Sequence, residues 1–174
     1  MKVDPRIREL IKKHGSIEFR TRDSPFESLV QSIIGQQLNG QVARSIYAKL
    51  RASVQSEHME PQVLHTLSAS KLRKAGVSPQ KIRYLKDLSA RVVKGQLDLD
   101  DLRNRPDDEV VKILDEVRGI GPWTAHMFLL FMLGRTDVLP VDDLGIRTAI
   151  RHVYNLRQLP DAGKINEIAR KWHP

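Results

Sequence analysis

Apolar residues recur at three- and four-residue spacing along almost the whole of this chain, and each such run is cut short by glycine, proline or a capping residue. In "SPFESLVQSIIGQQLNGQVARSIYAKLRASV", Ser24 and Pro25 form an N-cap and first-turn pair, with Glu27 at the capping-box position. Phe26, Leu29, Val30, Ile33 and Ile34 then line one face. Gly35 and Gly40 bracket "GQQLNG", which predicts two helices meeting at a sharp junction. "PQVLHTLSASKLRKAG" and "SPQKIRYLKDLSARVVKG" follow, joined at Gly76-Val77 with Ser78 capping the second. Four more helical stretches end the chain: "RPDDEVVKILDEVRG", "GPWTAHMFLLFMLG", "DDLGIRTAIRHVYNL" and "DAGKINEIARKWHP". No run alternates as a half-buried strand does. The expected class is all-α, with roughly eight to ten helices and short loops, no long linker and no low-complexity segment.

Composition narrows what such a bundle can do. With 174 residues there is enough chain for one domain with a core, or for two small lobes. The 29 Lys and Arg exceed the 21 Asp and Glu, giving +8, which favours a polyanionic partner: nucleic acid first, an acidic membrane surface a distant second. The chain has no cysteine, so disulfides, thiolate zinc sites, iron–sulfur clusters and cysteine nucleophiles are excluded. "MKVDPRIREL" lacks a signal-peptide core, and the longest apolar stretch, "MFLLFML" at 127–133, is too short to span a bilayer. A soluble, intracellular protein is expected.

A helix–Gly–helix unit occurs twice, at "LRKAGVSPQKIRYL" and "LDEVRGIGPWTAHMF", too loosely alike to define a repeat. In the second, Leu114 and Val117 end one helix and Gly119 can take the left-handed conformation that closes it. Gly121 allows another backbone to come close, and Pro122 starts the next helix without losing a hydrogen bond. The second helix then points unpaired N–H groups and its dipole end outward, behind bare glycines. Such a terminus accepts an anion, and phosphate is its usual guest. A plain αα-corner with a glycine cap explains the same residues.

"VRGIGPWTA", followed by "DVLPVDDLGIRTAI", resembles the helix–hairpin–helix, Gly/Pro-rich loop and aspartate (HhH-GPD) signature of a DNA glycosylase superfamily. Upstream, "PFESLVQSIIGQQLNGQVARSI" is similar to a segment of its alkylation-repair branch, DNA-3-methyladenine glycosylase II. The three segments stand in family order, and the resemblance runs from about Pro25 to the end. It implies one glycosylase domain over 1–174, built of two small helical lobes, with the helix–hairpin–helix motif at about 107–133. It also implies that alkylated purines are flipped out of double-stranded DNA and released by hydrolysis of the N-glycosidic bond, with no cofactor, by a monomer. Such a protein works in the cytoplasm on the nucleoid of a bacterium or archaeon, or in a eukaryotic nucleus. Longer bacterial members carry an N-terminal β-rich lobe that this sequence lacks. "NEIARKWHP" is similar to a family segment that normally runs on into a helix bearing pocket aromatics, whereas this sequence stops at Pro174.

The resemblance also assigns roles. Its essential carboxylate begins the helix after the hairpin, where "VDDLG" offers Asp142 and Asp143; paired aspartates in the family place it second, at Asp143, leaving Asp142 to cap the helix or orient its neighbour. An anion there stabilises the positive charge left on the sugar as the base departs, or activates water. An ordinary Asp N-cap is the competing reading. Strand-cutting relatives carry lysine where this chain has Trp123, so hydrolysis without lyase activity is implied. Trp123, His126 and Met127 are assigned to the base pocket, Trp123 offering an aromatic face to an electron-poor base; a core tryptophan plugging the hairpin, and a packing role for His126, are the alternatives. Gln37, then Leu38, matches the residue that fills the gap left by the flipped base, although either can simply end a helix. The amides of Gly119, Gly121 and Thr124 would hold a phosphate. No metal is required, though relatives place a monovalent ion at carbonyls equivalent to Val117 and Ile120. Arg44, Lys81, Arg83, Lys86 and Arg118 are expected to contact phosphates. A non-enzymatic module binding distorted DNA is the rival from another class, and a magnesium nuclease built on Asp142 and Asp143 ranks third.

Overall fold

Helix starts in this protein are specified locally. Asp4, Ser24, Asn39, Ser68, Ser78, Asp143 and Asp161 each turn a side-chain oxygen onto an amide of the first turn, at 2.8 to 3.3 Å. Proline follows the cap at Pro5, Pro25, Pro61, Pro79 and Pro122, where its missing N–H costs nothing. The computed structural model describes residues 4–15, 24–54 and 58–172. They form α1 (Pro5–His14), α2 (Pro25–Gly35), α3 (Gly40–Ala52), α4 (Pro61–Thr66), α5 (Ala69–Lys74), α6 (Pro79–Val93), α7 (Asp107–Asp115), α8 (Pro122–Phe131), α9 (Leu144–Val153) and α10 (Ala162–Ala169). A single 3-10 turn, Asp101–Asn104, precedes α7. No strand occurs among the described residues, so the all-α expectation stands.

The chain divides into two units, residues 21–134 and residues 1–20 with 135–174. In the first, α6 packs against α2, α4 and α5, and α8 packs against α7 and α2. Ile82, Leu85 and Leu88 of α6, Phe26, Leu29, Val30, Ile33 and Ile34 of α2, and Phe128 and Leu129 of α8 are buried there. Each large apolar side chain so buried contributes about 1.5–3 kcal/mol relative to exposure. The predicted stripe of α2 is thus its core face. Lys86 reinforces the packing by donating to the Leu64 carbonyl at 3.0 Å, the His65 carbonyl at 2.6 Å and the Leu67 carbonyl, which closes the C-terminus of α4.

The second unit joins α1, α9 and α10. The Tyr154 hydroxyl donates to Asp4 Oδ2 at 3.0 Å and accepts from Trp172 Nε1 at 3.0 Å, while the Arg6 guanidinium lies 4.8 Å from the Tyr154 ring centre. Burial works against charge on Asp4, but donation from the Arg6 amide and the Tyr154 hydroxyl outweighs it and holds the pKa below the usual aspartate value.

Three local readings change. "PQVLHTLSASKLRKAG" is two helices rather than one, because Leu67 turns extended and Ser68 caps a new start on the Lys71 amide. Helix α1 is a further helix, opened by the cap-and-proline pair Asp4-Pro5 as α6 is by Ser78-Pro79. Glu27 turns its carboxylate to the Met59 amide, 2.5 Å away and 32 residues on, so its partner is tertiary. His173 and Pro174, which end the last predicted segment, lie outside the described residues.

Candidate nucleic-acid interface and base pocket

The two helix–Gly–helix turns prove to be a natural comparison. In Ala75-Gly76-Val77-Ser78-Pro79 and Arg118-Gly119-Ile120-Gly121-Pro122, the first glycine has positive φ, +97° at Gly76 and +83° at Gly119, and a proline opens the next helix four residues after the first residue of the turn. They differ at the cap. Ser78 closes its helix on the Lys81 amide at 3.3 Å, whereas Gly121 has no side chain to offer. Neither α8 nor the six-residue α4 has a capping side chain or a first-turn acid, alone among the described α-helices. A Cβ built at Gly121 meets nothing within 4 Å, so no protein backbone occupies the approach that this glycine keeps open. The start of α8 therefore combines unopposed amide dipoles with an unobstructed surface, the arrangement that favours an anion.

Gly119 is needed for a different reason. A Cβ there would fall 2.5 Å from Tyr84 Cε2 and nearer still to Cγ and Cδ2 of the ring. The close approach predicted for Gly121 thus belongs to Gly119, and the group that approaches is an aromatic ring of α6. The Gly119 carbonyl accepts from Gln36 Nε2 at 2.6 Å, and the Val117 carbonyl from the Ile120 amide at 3.0 Å.

Beside this turn lies a cavity of about 550 Å³. Ser32, Gly35, Gln36, Gln37 and Leu38, from the end of α2 and the loop after it, line one part, and Trp123, Thr124 and Met127 of α8 line the rest. Its volume falls within the roughly 300–1,000 Å³ of ordinary small-molecule sites. Trp123 is 44% and Leu38 39% exposed, so the tryptophan is no core plug. Thr124 is buried and Met127 half-buried. His126 is not among the lining residues: three positions along α8 from Trp123, it projects about 60° the other way from Met127 around the helix. Gln37 holds a left-handed backbone, φ +57°, a conformation costing a non-glycine residue about 1–2 kcal/mol.

Asp142 and Asp143 belong to the other unit. Asp143, not Asp142, is the N-cap of α9, its Oδ1 accepting from the Ile146 amide at 2.8 Å. The cap that Asp142 was expected to offer is therefore supplied by Asp143, and Asp142 is exposed. A Cβ on Gly145 would lie 2.9 Å from Asp143 Oδ1, so this glycine leaves the carboxylate its room. Among the described residues no cluster of three His, Asp or Glu side chains could hold a metal ion, and no helix is long and apolar enough to cross a membrane.

Two of the five cations expected on phosphates are committed elsewhere. Lys86 closes α4, and Lys81 donates to the carbonyls of Ile34 at 2.8 Å and Gln36 at 2.7 Å. Burial lowers the pKa of both. Arg44, Arg83 and Arg118 remain exposed. Sequence reading missed Gln36 and Tyr84 altogether. The doubled glutamine was the one visible signal for Gln36, and nothing in the local pattern marks Tyr84.

A capless helix start behind glycines, next to an open cavity with an exposed indole, is the arrangement of a helix–hairpin–helix protein. The chain belongs to the HhH-GPD superfamily of base excision DNA repair proteins, whose family model matches residues 30–174. It is 28% identical over 157 residues to DNA-3-methyladenine glycosylase 1 of Schizosaccharomyces pombe, an alignment covering 89% of this chain and 69% of that one. Its structure is similar to that of a DNA-3-methyladenine glycosidase from Bacillus halodurans, with a TM-score of 0.89 and 35% identity over 98% of this chain and 79% of the other. A 3-methyladenine DNA glycosylase of Schizosaccharomyces pombe, solved in complex with abasic DNA, gives a TM-score of 0.86 and 26% identity over 98% and 85%.

Proposed function

We propose that this protein is a monofunctional DNA glycosylase of the 3-methyladenine type, which flips alkylated purines out of duplex DNA and hydrolyses their N-glycosidic bond in base excision repair. The observation that carries the reading is the cavity shared by the α2–α3 loop and the start of α8, with Trp123 exposed in its wall. Alkylated purines carry positive charge, and an indole face attracts such a ring by about 0.5–2 kcal/mol. The bare amides at the start of α8 receive a backbone phosphate, and Gln37 with Leu38 fills the gap in the base stack. His126 takes a packing role. Residues 1–174 act as one glycosylase domain and as a monomer, in the branch of the superfamily that acts on alkylated bases.

Asp143 supplies the carboxylate. Departure of a cationic purine leaves positive charge on the deoxyribose, and an anion held at fixed orientation stabilises it without needing a strong general acid. Orientation comes from the Ile146 amide and from the space at Gly145. In Gly145→Ala the methyl displaces Oδ1. Loss of the cap, about 1 kcal/mol, is offset by the better helix propensity of alanine, also about 1 kcal/mol. Base release is therefore expected to slow by about tenfold while the melting temperature stays within about 3 °C. A normal rate in this variant would separate Asp143 orientation from catalysis.

Hydrolysis alone is expected because Trp123 stands where strand-cutting relatives carry lysine, and among the described residues no lysine lines the cavity. Incubation with methylated duplex DNA, with EDTA present, should release methylated purine and leave strands intact until hot alkali is added. Borohydride should trap no covalent adduct with abasic DNA. A trapped adduct would refute the hydrolysis-only reading, and binding of damaged duplex with no base release would favour the non-enzymatic alternative.

A further inference from the structure

Helix α2 ends abruptly: Gln36 turns extended, with φ −51° and ψ 130°, so the last carbonyls of the helix lose their helical partners. Lys81 reaches across from α6 and takes two of the carbonyls at that end, Ile34 at 2.8 Å and Gln36 at 2.7 Å. Its ammonium thereby sits at the negative end of the α2 dipole, with charge-assisted bonds stronger than those between neutral groups. Gln36 in turn sends its side-chain amide 83 residues along the chain, to the Gly119 carbonyl at 2.6 Å. Gly119 rests on the ring of Tyr84, one turn beyond Lys81 on α6, and Gln80 Nε2 donates to the Tyr84 hydroxyl at 2.5 Å. One face of α6 therefore grips both the α2–α3 loop and the hairpin, and Gln36 ties the two together.

We propose that Lys81 and Gln36 are positioning residues that lock the Gln37–Leu38 loop to the Gly119 hairpin, so that wedge and phosphate anchor engage DNA as one rigid piece. The proposal rests on the glycosylase reading for the word wedge, but the lock is a property of the fold. It accounts for the left-handed Gln37, the next residue along: a strained backbone persists where its surroundings over-determine it, and bonds from both the main chain and the side chain of Gln36 do so. It also explains why a cation expected on phosphate is half-buried instead. Register matters here because the hairpin holds the DNA backbone while the loop must meet the base stack. A displacement near 1 Å between two such elements is enough to cost about a hundredfold in rate.

The test compares excision of one alkylated base in two duplexes, with the lesion paired or opposite an abasic site. Unpairing is nearly free in the second, so it asks little of a wedge. In Lys81→Met, excision of the paired lesion should slow by about tenfold or more, and excision of the unpaired lesion by no more than about threefold. The salt dependence of binding should keep its slope, whereas loss of a phosphate contact would lower it by about one. Amide hydrogen exchange without DNA should quicken at residues 35–40 in both Lys81→Met and Gln36→Met, leaving α7 and α8 protected. Equal slowing on both duplexes, a reduced salt slope, or unchanged exchange at 35–40 would each overturn the lock. If Lys81→Met does not fold, Gln36→Met carries the same comparison. If the wild-type protein releases base from neither duplex, the glycosylase reading fails while the exchange result still decides the lock.

Discussion

Asp143→Asn is expected to abolish base release almost completely, slowing it by about a thousandfold, while leaving the protein as stable as before. The two readings of Asp143 make opposite demands on this variant. As an N-cap, asparagine is as good as aspartate, because its side-chain oxygen still accepts from the Ile146 amide. As the anion that stabilises positive charge on the sugar, asparagine is useless. Losing one such electrostatic partner typically costs about 2.7–4 kcal/mol of barrier, or roughly 10²–10³ in rate. Asp143→Ser should behave in the same way, retaining the cap and losing the charge, and Asp143→Ala should lose about 1 kcal/mol of stability as well. Asp142→Asn should retain activity. Release of methylated purine from alkylated duplex, read beside the melting temperature, decides among these. Full activity in Asp143→Asn would transfer the role to Asp142 or end the carboxylate mechanism.

The largest stability effect belongs to the hairpin. Gly119→Ala places a methyl inside the Tyr84 ring and forces a side chain into φ +83°. The left-handed backbone costs about 1–2 kcal/mol and the overpacking about 1–3 kcal/mol more. For a chain of this length, that lowers the melting temperature by roughly 5–15 °C. Gly76→Ala is the built-in control. Its φ is +97°, but the new Cβ meets only the Ile46 side chain, with Cγ1 at 3.3 Å, which can give way. It should lose only about the backbone component. Combining Gly119→Ala with Tyr84→Ala should recover part of the overpacking loss, since the ring is what the methyl strikes. Equal losses at Gly76 and Gly119 would show that the ring contact contributes little. The same clash must shift the hairpin or the ring, so any soluble Gly119→Ala protein should also bind duplex DNA more weakly.

Much of this protein is legible without coordinates because its signals are short-range. Ser24-Pro25, Ser78-Pro79 and Gly121-Pro122 mark helix starts through bonds spanning three residues or through a fixed φ, and such signals survive in any tertiary setting. Gly119 announced its positive φ for the same reason. The places where local reading slipped are instructive. Ser68 sits inside an apparently continuous helical pattern, and the cap expected of Asp142 falls to Asp143, since neighbouring aspartates offer the same chemistry one residue apart.

What the amino-acid sequence alone determined was the all-α class and the two glycine turns, while its resemblance to the family supplied Gln37, Leu38, Trp123 and the carboxylate pair as candidates. Only the tertiary structure decided that Gln37, Leu38, Trp123, Thr124 and Met127 share one cavity, whose lining does not include His126. It alone showed that Lys81 and Lys86 spend their charges on helix ends, and that Tyr84 and Gln36 hold the hairpin. The physical reason is range. A helix start is fixed by groups three or four residues apart, but a lysine has the same local pattern whether it meets water, a phosphate or a carbonyl 45 residues away.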